Sequence, residues 1–194
     1  MTFLVLGLST TAHLRAISES IGFLGGATLV LEASNIVRGF DAGFPGILVP
    51  KGKTLTITGN GKLDVSSNGY APGIGGDDDN GGNIVIQGGT IRTTGGDGAA
   101  AIGSIRFRSC GDILISGGTV TAEGGYKSAG IGTSERGSVG NITITNGVTQ
   151  VSAKKWDEKT PHSIGGGVDY VSIGTVTIGG KEGLISESPF TYKP

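Results

Sequence analysis

Apolar and polar residues alternate in short runs along most of this chain, and the runs recur at a regular spacing. Thr54-Leu55-Thr56-Ile57-Thr58, Asn83-Ile84-Val85-Ile86-Gln87, Asp112-Ile113-Leu114-Ile115-Ser116, Asn141-Ile142-Thr143-Ile144-Thr145 and Thr175-Val176-Thr177-Ile178 each place aliphatic side chains on one face and polar or small ones on the other. That is the period-two signature of a strand with one buried face. A corner follows at Gly88-Gly89, Gly117-Gly118 and Asn146-Gly147, then a second run: Thr90-Ile91-Arg92, Thr119-Val120-Thr121 and Val148-Thr149-Gln150-Val151. A third element, small residues leading into Ile-Gly, closes each unit, as in Pro72-Gly73-Ile74-Gly75, Ala100-Ala101-Ile102-Gly103, Ala129-Gly130-Ile131-Gly132 and Ser163-Ile164-Gly165. Ser20-Ile21-Gly22 begins the series, and Pro45-Gly46-Ile47 fills a slot with Leu48 in the place of glycine.

The isoleucines stand at 21, 47, 74, 102, 131 and 164, in steps of 26, 27, 28, 29 and 33 residues. A unit of that length cannot bury its own aliphatic face, whereas stacked units place Ile84 over Ile113 over Ile142 at a spacing of about 4.8 Å. The pattern therefore predicts an all-β, right-handed parallel β-helix (solenoid) of about six coils with roughly 26–33 residues per coil. An antiparallel sandwich also has short strands and glycine turns, but it lacks this higher period. Residues 1–20 read as an incomplete first coil or N-terminal cap, 21–180 as the repeats and 181–194 as a C-terminal cap or linker. The apolar run Phe3-Leu4-Val5-Leu6 has no basic residue before it and is too short for a membrane span, so a first-coil strand is preferred to a signal peptide. Thr11 to Ile21 has some helical periodicity and reads as a loop or cap; Pro189 and Pro194 are expected to stop strand pairing.

Composition narrows the function. Glycine supplies 39 of 194 residues without the every-third-residue period of collagen. The net charge of −1 collects into no basic face, which argues against nucleic acid and anionic membranes as partners. One cysteine, Cys110, excludes an internal disulfide framework. A pairing of Cys110 with His162 as nucleophile and base lacks a third orienting residue, and a structural role for the thiol is the preferred reading.

Aromatic residues are few, and Tyr70, Tyr126 and Trp156 all precede an Ile-Gly element, with Asp97 in the corresponding place of the intervening coil. Stacking would align them on one edge, where rings beside Lys127 and Asp157 can cover sugar rings and bond their hydroxyls. Tyr70, Asp97, Tyr126, Lys127, Trp156 and Asp157 are thus the candidate ligand-binding residues; rings covering the rim of a solenoid corner are the competing reading. The 33-residue step carries an insertion assigned to residues 154–161, around Trp156. Asp77, Asp78 and Asp79 are the candidate calcium ligands, against a solvated loop tip, since the loops of the next coils carry Ile105-Arg106-Phe107-Arg108 and Ser134-Glu135-Arg136-Gly137 instead. Arg106 and Arg108 can meet a phosphate or acidic sugar. No other cofactor is implied.

Phrases such as Gly81-Gly82-Asn83-Ile84-Val85-Ile86-Gln87-Gly88-Gly89-Thr90-Ile91 and Ala129-Gly130-Ile131-Gly132 resemble the glycine-rich repeats of large secreted or surface-anchored bacterial proteins, over roughly residues 20–180. The resemblance implies a secreted or cell-surface bacterial setting within a larger multidomain protein, and a stalk, adhesin shaft or carbohydrate-binding face. The expected function is a non-catalytic module of that kind. The rival is a polysaccharide lyase or glycoside hydrolase of the β-helix type, which needs carboxylates paired across coils. An ice-binding threonine face is disfavoured because Asn83, Val85, Gln87 and Asp112 interrupt the rows.

Overall fold

The computed structural model of the chain describes residues 10–14, 21–22, 25–39 and 42–194. They form an all-β parallel solenoid, with no helix among the described residues and hence none long and apolar enough to cross a membrane. Each turn carries one strand on each of three main faces, and Ser109–Cys110, Ser138–Val139 and Ser172–Ile173 add a fourth, short parallel column in the later turns. On the first face Thr10–Leu14, Ala27–Leu31, Thr54–Gly59, Asn83–Ile86, Ile113–Ile115, Ile142–Ile144 and Val176–Ile178 run parallel in register. On the second stand Ser34–Arg38, Lys62–Ser66, Thr90–Thr94, Gly118–Glu123 and Val148–Lys154. The third is the column of two-residue Ile-Gly strands, from Ile21–Gly22 to Ile164–Gly165.

The registers are those the sequence pattern predicts. Ile84 pairs with Ile113 and Ile113 with Ile142, while Ile74, Ile102, Ile131 and Ile164 form one column. These side chains are essentially solvent-free, and the columns from the three faces meet in one continuous core. At about 25 cal/mol per Å² of apolar area, repeated burial of isoleucine is the main force holding the turns together. The six marker isoleucines bound five complete turns, so the expectation of about six coils is one too high. Thr10–Leu14, within the stretch read as an incomplete first coil or N-terminal cap, is a strand paired parallel with Ala27–Leu31, so the loop or cap expected from Thr11 onward does not begin there. The apolar run at 3–6 lies outside the described residues.

Backbone pairing is reinforced at the corner that opens each first-face strand. Asn83 Oδ1 accepts the Asp112 N–H at 2.9 Å, Asp112 Oδ1 accepts that of Asn141 at 2.7 Å, and Asn141 Oδ1 accepts that of Thr175 at 2.9 Å. Asn83 and Asp112, which interrupt the threonine rows, therefore form with Asn141 a ladder joining successive turns. Within the core, Asn35 replaces an aliphatic residue at the end of the second-face column, and its Nδ2 donates to the carbonyls of Ala33 and Lys62.

The last turn ends by reversal. After Gly179-Gly180, Lys181–Glu182 pairs antiparallel with Val176–Ile178, Ile185 bridges Ile164, and Phe190–Tyr192 pairs antiparallel with Val151–Ala153. One returning segment thus closes the open edge of all three faces, the measure that keeps exposed strands from joining other chains. The expectation that Pro189 and Pro194 stop pairing is corrected here, because three of the four residues between them, Phe190–Tyr192, form an edge strand, where a flanking proline costs no ladder bond. The insertion also lies partly elsewhere than in residues 154–161. Gly118 pairs with Val148 but Thr119 with Gln150, so a bulge at Thr149 takes up part of it.

Candidate functional site

The Ile-Gly strands are only two residues long, so the chain leaves and enters them through loops that stack into two columns along one edge. The column before Ile-Gly holds the aromatic candidates. Asp97 N donates to Gly69 O at 2.8 Å, Gly125 N to Ala99 O at 3.0 Å and Trp156 N to Ser128 O at 3.2 Å, which hold the loops of Tyr70, Asp97, Tyr126 and Trp156 on one another. Tyr70, Asp97, Tyr126 and Trp156 are all exposed. The Tyr126 and Trp156 rings meet edge to face, 6.1 Å between centroids at 76°. Lys127 Nζ lies 5.3 Å from the Tyr126 centroid and 3.4 Å from Glu135 Oε1. Tyr70 stands two turns from Tyr126 with Asp97 between them. Asp157 serves its own loop, its Oδ1 accepting the N–H groups of Lys159 and Thr160 and the Thr160 hydroxyl.

The column after Ile-Gly contains residues 77–80, 105–108, 134–137 and 168–171. Phe107, Arg136 and Asp169 occupy equivalent places: Phe107 N donates to Glu135 O at 3.0 Å and Arg136 N to Val168 O at 3.3 Å. The Arg136 guanidinium lies 5.9 Å from the Phe107 centroid, with its Nε 3.7 Å from Asp169 Oδ2. Tyr170, 90 % exposed, projects beside them. Among the described residues, the exposed large apolar side chains other than Ile36 and Leu184 all belong to these two columns.

Backbone conformation singles out the same edge. Among the described residues, the non-glycine residues with left-handed backbone are Asn80 (φ 74°), Phe107 (62°), Lys127 (58°), Arg136 (51°) and Asp169 (57°), all in these loops. Each such residue costs about 1 kcal/mol or more relative to glycine. A chain this rich in glycine nevertheless keeps side chains there. Asn80 has a structural use, since its Oδ1 accepts the Ser109 N–H at 2.8 Å; the others project rings and charges.

Between the columns lies a groove of about 230 Å³ lined by Gly43, Tyr70, Asp78, Ile105, Arg106, Phe107 and Arg108. Its assembly from Tyr70 and a loop of the following turn was not legible in the sequence, because the two parts lie on opposite sides of an Ile-Gly strand. The opposite charges of Asp78 and Arg108, in loops that the repeat aligns, were the available signal.

The three aspartates do not converge. Asp77 Oδ1 accepts the Asp79 N–H at 2.9 Å, and Asp78 Oδ1 lies 3.7 Å from Arg108 Nη2. Among the described residues no three His, Cys, Asp or Glu side chains are grouped to hold a metal ion. Cys110 is buried with its thiol donating to Gly82 O at 3.3 Å, while His162 Nδ1 contacts Gly166 O at 3.2 Å, so the two form no pair. Desolvation, opposed by the Gly111 backbone and aided by the charge of Asp112, pushes the Cys110 thiol up to about 12. No family model matches the chain, and neither a curated protein nor a solved structure matches it.

Proposed function

We propose that the chain is a non-catalytic β-solenoid module of a secreted or cell-surface bacterial protein, and that it binds polysaccharide along its loop edge. The observation that carries this reading is the concentration of exposed rings and strained, side-chain-bearing residues on that edge. The first face presents mainly threonine, asparagine and aliphatic residues outward, and the second presents threonines with charged residues such as Lys62, Asp64, Arg92, Glu123 and Lys154. Rings separated by whole turns, about 4.8 Å each, suit a ligand that is itself extended and periodic. Rings held by a rigid scaffold with polar groups between them suit sugars, whose axial C–H faces stack and whose hydroxyls need partners. Hydrolysis or elimination calls for free carboxylates at a cleft. Here Asp78 faces Arg108, Glu135 faces Lys127, Asp169 faces Arg136, and Asp157 holds its own loop.

Affinity electrophoresis in gels containing xylan, mixed-linkage β-glucan, alginate or polygalacturonate tests the reading. At least one polysaccharide is expected to retard the wild type, and the Tyr126→Ala/Trp156→Ala double variant to bind it about tenfold or more weakly with an unchanged melting temperature. Unretarded wild type, or a double variant retarded equally, overturns the proposal and leaves a structural spacer. Release of reducing ends or unsaturated sugars replaces it with the enzyme.

A further inference from the structure

We infer that the groove formed by Tyr70, Arg106, Phe107 and Arg108 is a subsite for an acidic sugar, a ring bearing a carboxylate, within the polysaccharide proposed above. The inference rests on that reading and narrows its ligand. At about 230 Å³ the groove is smaller than a typical drug-sized site and fits one ring. Tyr70 and Phe107, each about half exposed, supply apolar surface to either side. Phe107 does so from a left-handed backbone at φ 62°, a conformation that glycine would adopt at lower cost.

The polar groups of the groove are unbalanced toward positive charge. Arg106 and Arg108 face a single carboxylate, Asp78, whose side chain is 81 % exposed and 3.7 Å from Arg108 Nη2. Arg106 makes no ion pair with any described residue. Arg108 Nη1 reaches only the Phe107 carbonyl, at 3.5 Å, and its Nε is buried with no hydrogen-bond partner. A buried N–H of a charged group without an acceptor costs about 1–3 kcal/mol or more. A carboxylate in the groove can pair with the Arg106 guanidinium and the Nη atoms of the part-exposed Arg108, and it matches a planar guanidinium fork as a hydroxyl does not. The neighbouring cations Lys127 and Arg136 already face Glu135 and Asp169, and Asp77 and Asp79 flank Asp78 in the facing loop.

The test compares polygalacturonate with the same polymer fully methyl-esterified, which keeps the sugar and removes the charge, and includes dextran sulfate as a general polyanion. Isothermal titration should show the wild type binding polygalacturonate about tenfold or more tightly than the ester, the difference expected for one charge-assisted contact. Arg106→Gln, and separately Arg106→Gln/Arg108→Gln with its melting temperature checked, should abolish that preference, bringing the affinity for polygalacturonate down to that for the ester. Arg106 is exposed and unpaired, so its single variant remains informative if the double one fails to fold. Equal binding to polygalacturonate and ester overturns the subsite and leaves polysaccharide binding standing. Equal or tighter binding of dextran sulfate reduces it to unspecific charge attraction and likewise overturns it. Absence of binding to all three polymers overturns the subsite, while retardation by xylan or mixed-linkage β-glucan still leaves polysaccharide binding standing.

Discussion

Replacing Gly103 by alanine probes the stacking of the turns at one of its tightest points. A Cβ built on Gly103 falls far inside 3.0 Å of the Gly132 carbonyl oxygen of the next turn, closer than real Cβ atoms come, and the backbone there has φ 137°. The obstacle is backbone, so no rotamer change relieves it. To accept the methyl the two turns must part locally by about 1 Å or the chain must leave its conformation. Parting stretches the Ser104 N–H bond to Gly132 O, now 3.1 Å, beyond bonding range at about 1 kcal/mol. Holding alanine in a region reserved for glycine adds about 1–3 kcal/mol, and loosening Ile102 against Ile131 adds a packing loss, for a total of about 3–5 kcal/mol. Leu48 shows why a side chain can occupy the equivalent slot elsewhere, since its backbone is not left-handed. Urea unfolding followed by circular dichroism, with Gly43→Ala as control because nothing lies within 4 Å of its Cβ, is the assay. Gly103→Ala should lower the stability by about 3 kcal/mol or more, or split the transition and reduce its slope as turns uncouple. A variant within about 0.5 kcal/mol of the wild type with the same slope would refute the close-approach argument.

Ile113→Ala, which empties one position in a column between Ile84 and Ile142, should cost about 3–4 kcal/mol by the same measurement, against about 1 kcal/mol for the outward Leu114→Ala; equal costs would contradict the inward assignment. Cys110 should resist Ellman's reagent at pH 8 until the protein unfolds, and immediate labelling would contradict its burial. Its thiol also sets a pH dependence: the unfolded chain loses that proton near pH 9.0, while the folded one holds it to about 12. The folded state then binds more protons, so stability is full below about pH 9 and falls above it by up to about 1.4 kcal/mol per pH unit. Cys110→Ala should flatten that part of the stability profile, and an unaltered slope between pH 9 and 11 would count against it. Ending the chain after Gly180 removes the antiparallel strands that close all three faces, and light scattering should then show concentration-dependent self-association; a monomeric truncated chain would mean the edges are protected otherwise.

The architecture was legible because a solenoid writes its third dimension into a linear period. When each turn pairs only with its neighbours, residues about 28 positions apart must match, and isoleucines 74, 102 and 131 announce their column without coordinates. Tyr70, Asp97, Tyr126 and Trp156 could be placed on one edge by the same rule. Other features depended on geometry that the period does not encode. Asn83 and Asp112 looked like interruptions of threonine rows and, with Asn141, form a hydrogen-bond ladder. The tail between Pro189 and Pro194 reverses direction and pairs. Sequence alone determined which residues stack from turn to turn, since stacking follows from equal spacing and the burial of like aliphatic side chains. Only the tertiary structure decided which loops face each other across an Ile-Gly strand, because that depends on how sharply each turn bends, and so it alone brought Arg106, Phe107 and Arg108 beside Tyr70.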